Sequence, residues 1–269
     1  MGSRSRAQDL SSVDMTSDIR RSPGEEGAAR LGEALSLGVL KAIVFDLDGT
    51  LYPARRHIHA EVKQHMISVA SALLGVAPGQ ARTLMRGYRS RYGSSVIGLE
   101  RHHGIGGRSF LTQVYGRLDT SRIRADDLLA DEIQRLAERV DACILTNSSV
   151  SYGERMVRQL RLAPLSGKVY GAESFGYIRK PHPAPFLGLA RTLSLRPSEL
   201  VMFDDSALNL ERANTCGMSC VLVSNGLASP PDFWELHTGQ AAPAPGFVDG
   251  ACHDLAGFLR AANDRAEGR

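Results

Sequence analysis

Four stretches of this chain are short and almost wholly apolar: Lys41–Asp46 (KAIVFD), Ala142–Thr146 (ACILT), Leu200–Asp204 (LVMFD) and Ser219–Val223 (SCVLV). Runs of that length without polar alternation are what strands buried on both faces require, and such strands belong to parallel sheets. Lys168–Gly171 is a weaker run of the same kind. Between them lie segments with apolar residues at helical spacing, Asp126–Val140, Val150–Leu160, Ala184–Leu193 and Ala207–Thr215. Short apolar strands alternating with amphipathic helices predict an α/β fold, a doubly wound parallel sheet with a Rossmann-like core.

One interval breaks the alternation. Residues 51–140 contain no convincing buried strand and read as helices, roughly Ile58–Leu74, Gly79–Tyr92 and Arg108–Leu118. A crossover between parallel strands needs far less chain, so residues 56–120 are expected to be an inserted helical domain. Residues 39–55 and 121–269 then form the core, with a last helix near His253–Ala262. Residues 1–38 are rich in small and charged residues and read as a disordered tail, in which only Ala28–Leu37 could make a short helix. The proline-rich segment 225–250 reads as a surface loop with Trp234 as its packing anchor.

Composition narrows the class. Lysine plus arginine number 32 against 29 acidic residues, giving a net charge of +3. The basic residues are scattered rather than gathered on one element, which argues against a nucleic-acid partner. No apolar run is long enough to span a membrane, and the tail lacks the apolar core of a secretory signal. The cysteines, Cys143, Cys216, Cys220 and Cys252, form no metal-binding pair and no disulfide framework. A cytoplasmic location, as a monomer or homodimer, is the corresponding expectation.

The chemistry is concentrated where the apolar runs stop. The first continues into Asp46-Leu47-Asp48-Gly49-Thr50. Carboxylates at i and i+2 beyond a buried strand are costly unless something uses them. The second run ends in Thr146-Asn147-Ser148, and the third in Asp204-Asp205-Ser206, with Asn209 following. Lys180-Pro181-His182-Pro183 opens a helix between them. In a parallel sheet these ends share one rim, the edge at which such folds bind ligands. Carboxylates suit magnesium, and a lysine with hydroxyl and amide donors suits a phosphate.

In order and spacing, over about Lys41–Gly226, these segments resemble the four motifs of the haloacid dehalogenase superfamily in its phosphatase form. The helical insertion resembles that family's type-one cap. A narrower likeness is to the pyrimidine 5′-nucleotidase-like branch. It rests on Thr50-Leu51-Tyr52-Pro53, on the segment from Tyr92-Gly93 through Gly98-Leu99 to His102-His103, and on the motifs already quoted.

The resemblance implies that Asp46 is the nucleophile, forming an aspartyl-phosphate, and that Asp48 is the acid and then the base. Magnesium would sit on Asp46, the Asp48 backbone carbonyl and Asp205, with Asp204 reaching it through water. Thr146 and Asn147 would hold phosphate oxygens, Lys180 would balance charge, and Asn209 would orient Lys180 or a metal-bound water. Thr50 and His103 complete the candidate substrate-binding set. The implied partner is a small phosphorylated metabolite, first a pyrimidine nucleoside 5′-monophosphate. A sugar-phosphate phosphatase, a phosphomutase and a non-catalytic phosphate-binding module are the alternatives. Asp48 favours phosphoryl transfer over dehalogenation, which needs no acid two residues after the nucleophile.

Overall fold

The computed structural model describes residues 23–53, 56–224 and 246–268. Along the chain it runs α1 (Pro23–Ser36), β1 (Ala42–Phe45), then α2 (Arg56–Leu74), α3 (Pro78–Tyr92), α4 (Ser95–His103) and α5 (Gly107–Gly116). Next come α6 (Asp127–Ala137), β2 (Asp141–Leu145), α7 (Val150–Gln159), β3 (Val169–Tyr170) and α8 (Pro183–Thr192). The chain closes with β4 (Leu200–Asp204), α9 (Ala207–Thr215), β5 (Ser219–Val223), β6 (Gly250–Cys252) and α10 (Leu255–Ala266).

The strands form one parallel six-stranded sheet in the order β3-β2-β1-β4-β5-β6. This is the doubly wound, Rossmann-like fold that the apolar runs predict. Both sheet faces are buried, and alternate residues serve opposite layers. Ile43, Phe45, Val201 and Phe203 join the core shared with α1, α6, α7 and α10. Ala42, Val44, Leu200 and Met202 join a second core with α8 and α9. On the first face the Phe203 ring lies 5.2 Å from that of Phe45 and 5.9 Å, edge-on, from that of Phe258 in α10. These aromatic contacts brace the two central strands from behind.

The order in which strands are added reverses between β1 and β4, with β2 and β3 on one side and β5 and β6 on the other. Their register pairs Phe45 with Phe203, and the Asp46 N–H donates to the Phe203 carbonyl at 2.7 Å. The residues that end the two strands, Asp46 and Asp204, therefore stand side by side. That is the switch point at which doubly wound sheets leave a crevice.

Residues 56–116 carry the four helices α2 to α5 and no strand. A helix the periodicity missed, α4, fills the gap around Gly98. It is anchored by buried Val96 and Leu99 and ends at Gly104 in the left-handed region.

The tail expectation is corrected for residues 23–36. They form α1, whose Ala28 and Leu31 are buried and which packs along α10 and β6. The contact is made by glycine rather than by bulk. A Cβ on Gly27 would stand 2.7 Å from the Gly250 Cα, and one on Gly32 2.5 Å from the Ala262 carbonyl oxygen. The earlier part of the tail, and the loop with Trp234, lie outside the described residues. The described part of 225–250 ends at the first residue of β6, a strand whose Gly-Ala-Cys sequence carries no apolar run. All four cysteines are free, three of them buried. No described helix is long and apolar enough to cross a membrane.

Candidate active site

At the rim, one ammonium is shared by two carboxylates. Lys180 Nζ donates to Asp46 Oδ1 at 2.8 Å and to Asp204 Oδ2 at 2.7 Å, and its side chain is 1% exposed. Asp204 is fully buried and every one of its lone-pair directions is used. Ser206 N–H donates to its Oδ1 at 2.8 Å, and Asn209 Nδ2 lies 3.0 Å from both oxygens. Asn209 therefore orients Lys180 through Asp204. Asp46, Asp204 and Asp205 each offer an oxygen within 4.8 Å of the others.

Three carboxylates around one ammonium leave the cluster short of positive charge. Burial, partly offset by Lys180 and reinforced by the other aspartates, pushes the Asp46 pKa well up. Burial and Asp204 push Asp205 up to about 7. Burial works against the Lys180 charge, but Asp204 and Asp46 outweigh it and raise that pKa. A cluster with these directions gains from a divalent cation, for which carboxylate oxygens are the right donors.

Gly49 makes the crowding possible. Its φ is +101°, and a Cβ there would lie 2.2 Å from Asp205 Oδ2. Any side chain would both strain the turn and evict the carboxylate. Thr50 Oγ1 reaches Asp46 Oδ2 at 3.5 Å.

Asp48 is held apart from the carboxylate trio by hydroxyls. Ser148 Oγ donates to its Oδ2 at 2.6 Å, and the Tyr152 hydroxyl lies 3.2 Å from its Oδ1. Tyr52 donates to the same oxygen and lies 2.8 Å, hydroxyl to hydroxyl, from Tyr152. Burial and the Asp48 charge raise both phenol pKa values far above the ordinary range, so both remain protonated donors. The Asp48 side chain is thus not one of the clustered metal candidates, which leaves only its backbone carbonyl for that part of the expectation.

The remaining predicted residues divide. Thr146 is buried at the end of β2, and its Oγ1 accepts from Ser148 N–H at 3.0 Å. The Asn147 side chain is committed to the Lys180 backbone, accepting from its N–H at 2.8 Å and donating to its carbonyl at 3.1 Å. It positions the lysine from the cavity side. His103 does not join the rim. It is exposed on α4 and bonded through Nε2 to the Tyr88 hydroxyl at 2.7 Å, because α3 and α4 pack their Tyr88, Tyr92, His102 and His103 rings together.

A cavity of about 530 Å³ lies between the helical layer and the rim, reached from the rim side by Asn147, Ala172 and Arg179. Sequence reasoning missed Tyr52 and Tyr152 as partners of Asp48, and Arg179 as a lining residue. Arg179 had a signal in its place beside Lys180, and Tyr52 in standing four residues after Asp48.

Known proteins place the chain in a family. A model of the haloacid dehalogenase-like hydrolases matches residues 40–217, from the start of β1 through α9. The chain belongs to that family. Two phosphoglycolate phosphatases are similar to this hydrolase. That of Chromobacterium violaceum is 25% identical over 72% of this chain and 89% of its own. That of Pectobacterium atrosepticum is 23% identical over 71% and 82%. A local match to a CBBY-like protein of Arabidopsis thaliana, 38% identical, spans 20% of this chain and 17% of that protein. In fold alone, a solved dehalogenase superposes with a TM-score of 0.50 at 19% identity, covering 82% of this chain and 96% of the other.

Proposed function

We propose that this hydrolase is a magnesium-dependent phosphomonoesterase that works through an aspartyl-phosphate on Asp46. The observation that carries the reading is the Lys180 ammonium bridging Asp46 and Asp204, with Asp205 in the same cluster and a second carboxylate, Asp48, two residues after Asp46. Asp46 and Asp205 would hold the cation, together with the Asp48 carbonyl that the family likeness assigns, while Asp204 stays committed to Lys180, Ser206 and Asn209. When bound, the cation offsets the repulsion between an anionic carboxylate and a phosphoryl dianion.

The residues divide the work. An Asp46 oxygen attacks phosphorus, and the bond from phosphorus to the ester oxygen breaks. Asp48 gives its proton to the leaving alkoxide. Asp48, then a carboxylate, takes a proton from water, and that water's oxygen attacks phosphorus to release inorganic phosphate and restore Asp46. Lys180 neutralises charge on Asp46 and the phosphoryl oxygens. Thr146 ends β2 on the same rim and is assigned to those oxygens by the family likeness. Tyr52, Tyr152 and Ser148 hold Asp48 in one orientation between the two halves of the reaction.

The substrate is a small organic phosphate. The finer reading, a pyrimidine nucleoside 5′-monophosphatase with a type-one cap, draws on Thr50–Pro53 and the helical layer, although His103 contributes nothing to the cavity lining. A second reading follows from the phosphoglycolate phosphatases that resemble this chain, and the unpaired cations of the cavity favour it.

The test is phosphate release by the full chain from 4-nitrophenyl phosphate, nucleoside 5′-monophosphates, sugar phosphates and phosphoglycolate, with magnesium and with chelator. Release is expected only with magnesium, and Asp46→Asn is expected to lower it by more than about 10⁴-fold. Halide release from a 2-haloacid without any phosphatase activity, or full activity in Asp46→Asn, would overturn the proposal.

A further inference from the structure

Among the described residues the cavity above the rim is lined by Lys63 of α2, by Arg82, Arg86 and Arg89 of α3, and by Arg179, and by no aspartate or glutamate. None of these cations has an ion-pair partner among the described residues. The α3 arginines follow at i, i+4 and i+7, which places them on one helix face. The whole helix, 15 residues, contains no acidic residue to balance them. Like charges at that spacing oppose one another, and an ordinary solvated helix face interleaves both signs.

Arg179 strengthens the case from the other wall. It precedes Lys180 in the chain, and its Nε is sealed from solvent with no hydrogen-bond partner. A buried donor left without an acceptor is destabilising unless something arrives to accept from it. Between the cations the wall is apolar, with Met66, Met85, Leu111 and Tyr115 among its residues. Asp46 itself does not line the cavity. The connection runs through Asn147, which lines it and grips the backbone of the lysine that touches Asp46.

Resting on the phosphomonoesterase reading, we infer that the cavity is a subsite for a second anionic group, so that the preferred substrates are phosphomonoesters carrying a carboxylate or a further phosphate away from the ester being cleaved. The scissile phosphoryl group sits at Asp46 and Lys180. The organic body crosses the apolar wall, and the distal anion is met by Arg86, Arg89 and their neighbours. Guanidinium groups are suited to both anions, since each can donate two parallel hydrogen bonds. A pyrimidine nucleoside 5′-monophosphate has no such group, so on this reading it is not the best substrate.

The experiment compares kcat/KM within matched pairs, using the full chain with magnesium. One pair is fructose 6-phosphate against fructose 1,6-bisphosphate. The other is 2-hydroxyethyl phosphate against phosphoglycolate, which separates a phosphate from a carboxylate as the distal anion. In at least one pair the doubly anionic member is expected to be favoured about tenfold or more, mainly through KM, with the preference shrinking as salt is added. Arg86→Gln/Arg89→Gln should bring that ratio down toward one, and Arg86→Lys/Arg89→Lys should keep most of it. Arg91→Gln, on the same helix but against the Tyr92 ring and not lining the cavity, should leave it unchanged.

Ratios near one for both pairs, or a ratio that survives the double glutamine variant, would overturn the inference while turnover of 4-nitrophenyl phosphate left the phosphatase reading standing. Absence of turnover for every ester, 4-nitrophenyl phosphate included, would remove both.

Discussion

The rim of the sheet and the helical layer above it treat charge in opposite ways. At the rim, each buried charge is tied to others: Lys180 to Asp46 and Asp204, and Asp204 to Ser206 and Asn209. In the helical layer, Arg82, Arg86 and Arg89 face a cavity with no counter-charge. The rim must keep reacting groups in one place before any ligand arrives, so its partners are built in. The layer leaves these three charges without an ion-pair partner among the described residues, and a ligand can supply what the chain does not. One region puts stability and chemistry in the same contacts, whereas the other separates them.

The sharpest way to break that contrast is at Lys180. Lys180→Met removes the ammonium and leaves Asp46 and Asp204 buried without compensation. Breaking one partner out of a buried ionic cluster costs about 3–5 kcal/mol. A loss of that size should appear in urea unfolding of the chelator-treated protein, with turnover falling alongside it. A loss below about 1 kcal/mol would mean that the cluster is not the stabilising unit its geometry indicates.

A second probe uses pH and metal together. The Asp205 pKa is raised to about 7 in the folded chain from an ordinary 3.8. A carboxyl group whose folded pKa is raised contributes stability that is complete below the unfolded pKa and is lost as pH climbs through the folded one. Metal-free protein should therefore become less stable between about pH 4 and pH 7, with Asp46, raised in the same direction, adding to the trend. Magnesium favours the ionised cluster, so the rise in Tm on adding it should grow across the same window. Asp205→Asn should flatten both trends. A magnesium effect independent of pH would contradict the assignment.

The same contrast explains what could be read from the chain without its structure. The rim was legible because short apolar strands in a parallel sheet leave little choice about where Asp46, Thr146, Lys180 and Asp204 come together. Chain order and strand length carry that information locally. The partner of Asp48 outside the motifs, Tyr152, was not legible. Tyr152 lies 104 residues away and, in sequence, is one more apolar position on α7. The tail helix α1 was expected only over Ala28–Leu37, and its docking not at all, because Gly27 and Gly32 dock by lacking side chains, a contact that hydropathy does not register. His103 was misplaced because its partner, Tyr88, belongs to another helix whose packing no periodicity reveals.

Tyr52 tests whether the rim also positions its acid and base. Tyr52→Phe removes one hydroxyl from Asp48 and leaves Tyr152 and Ser148 in place. Turnover should fall by about tenfold, the worth of one hydrogen bond to a charged group, with KM nearly unchanged, and Ser148→Ala should behave similarly. An equal rise in KM without loss of kcat would place Tyr52 in ground-state binding instead.

The smallest expected effect is the one that distinguishes the two regions most directly. Arg86 is exposed and lies one helical turn from both Arg82 and Arg89. If its charge is retained for a ligand, Arg86→Gln should not destabilise the fold. Relief of the like-charge contacts predicts a gain of about 0.2–0.5 kcal/mol in the ligand-free protein, and the gain should vanish in high salt, where those contacts are screened. The opposite sign, a loss comparable to that at a paired residue of the rim, would show that Arg86 has a structural partner. The division between a rim that stabilises itself and a layer that waits for its ligand would then fail at the residue chosen to exemplify it.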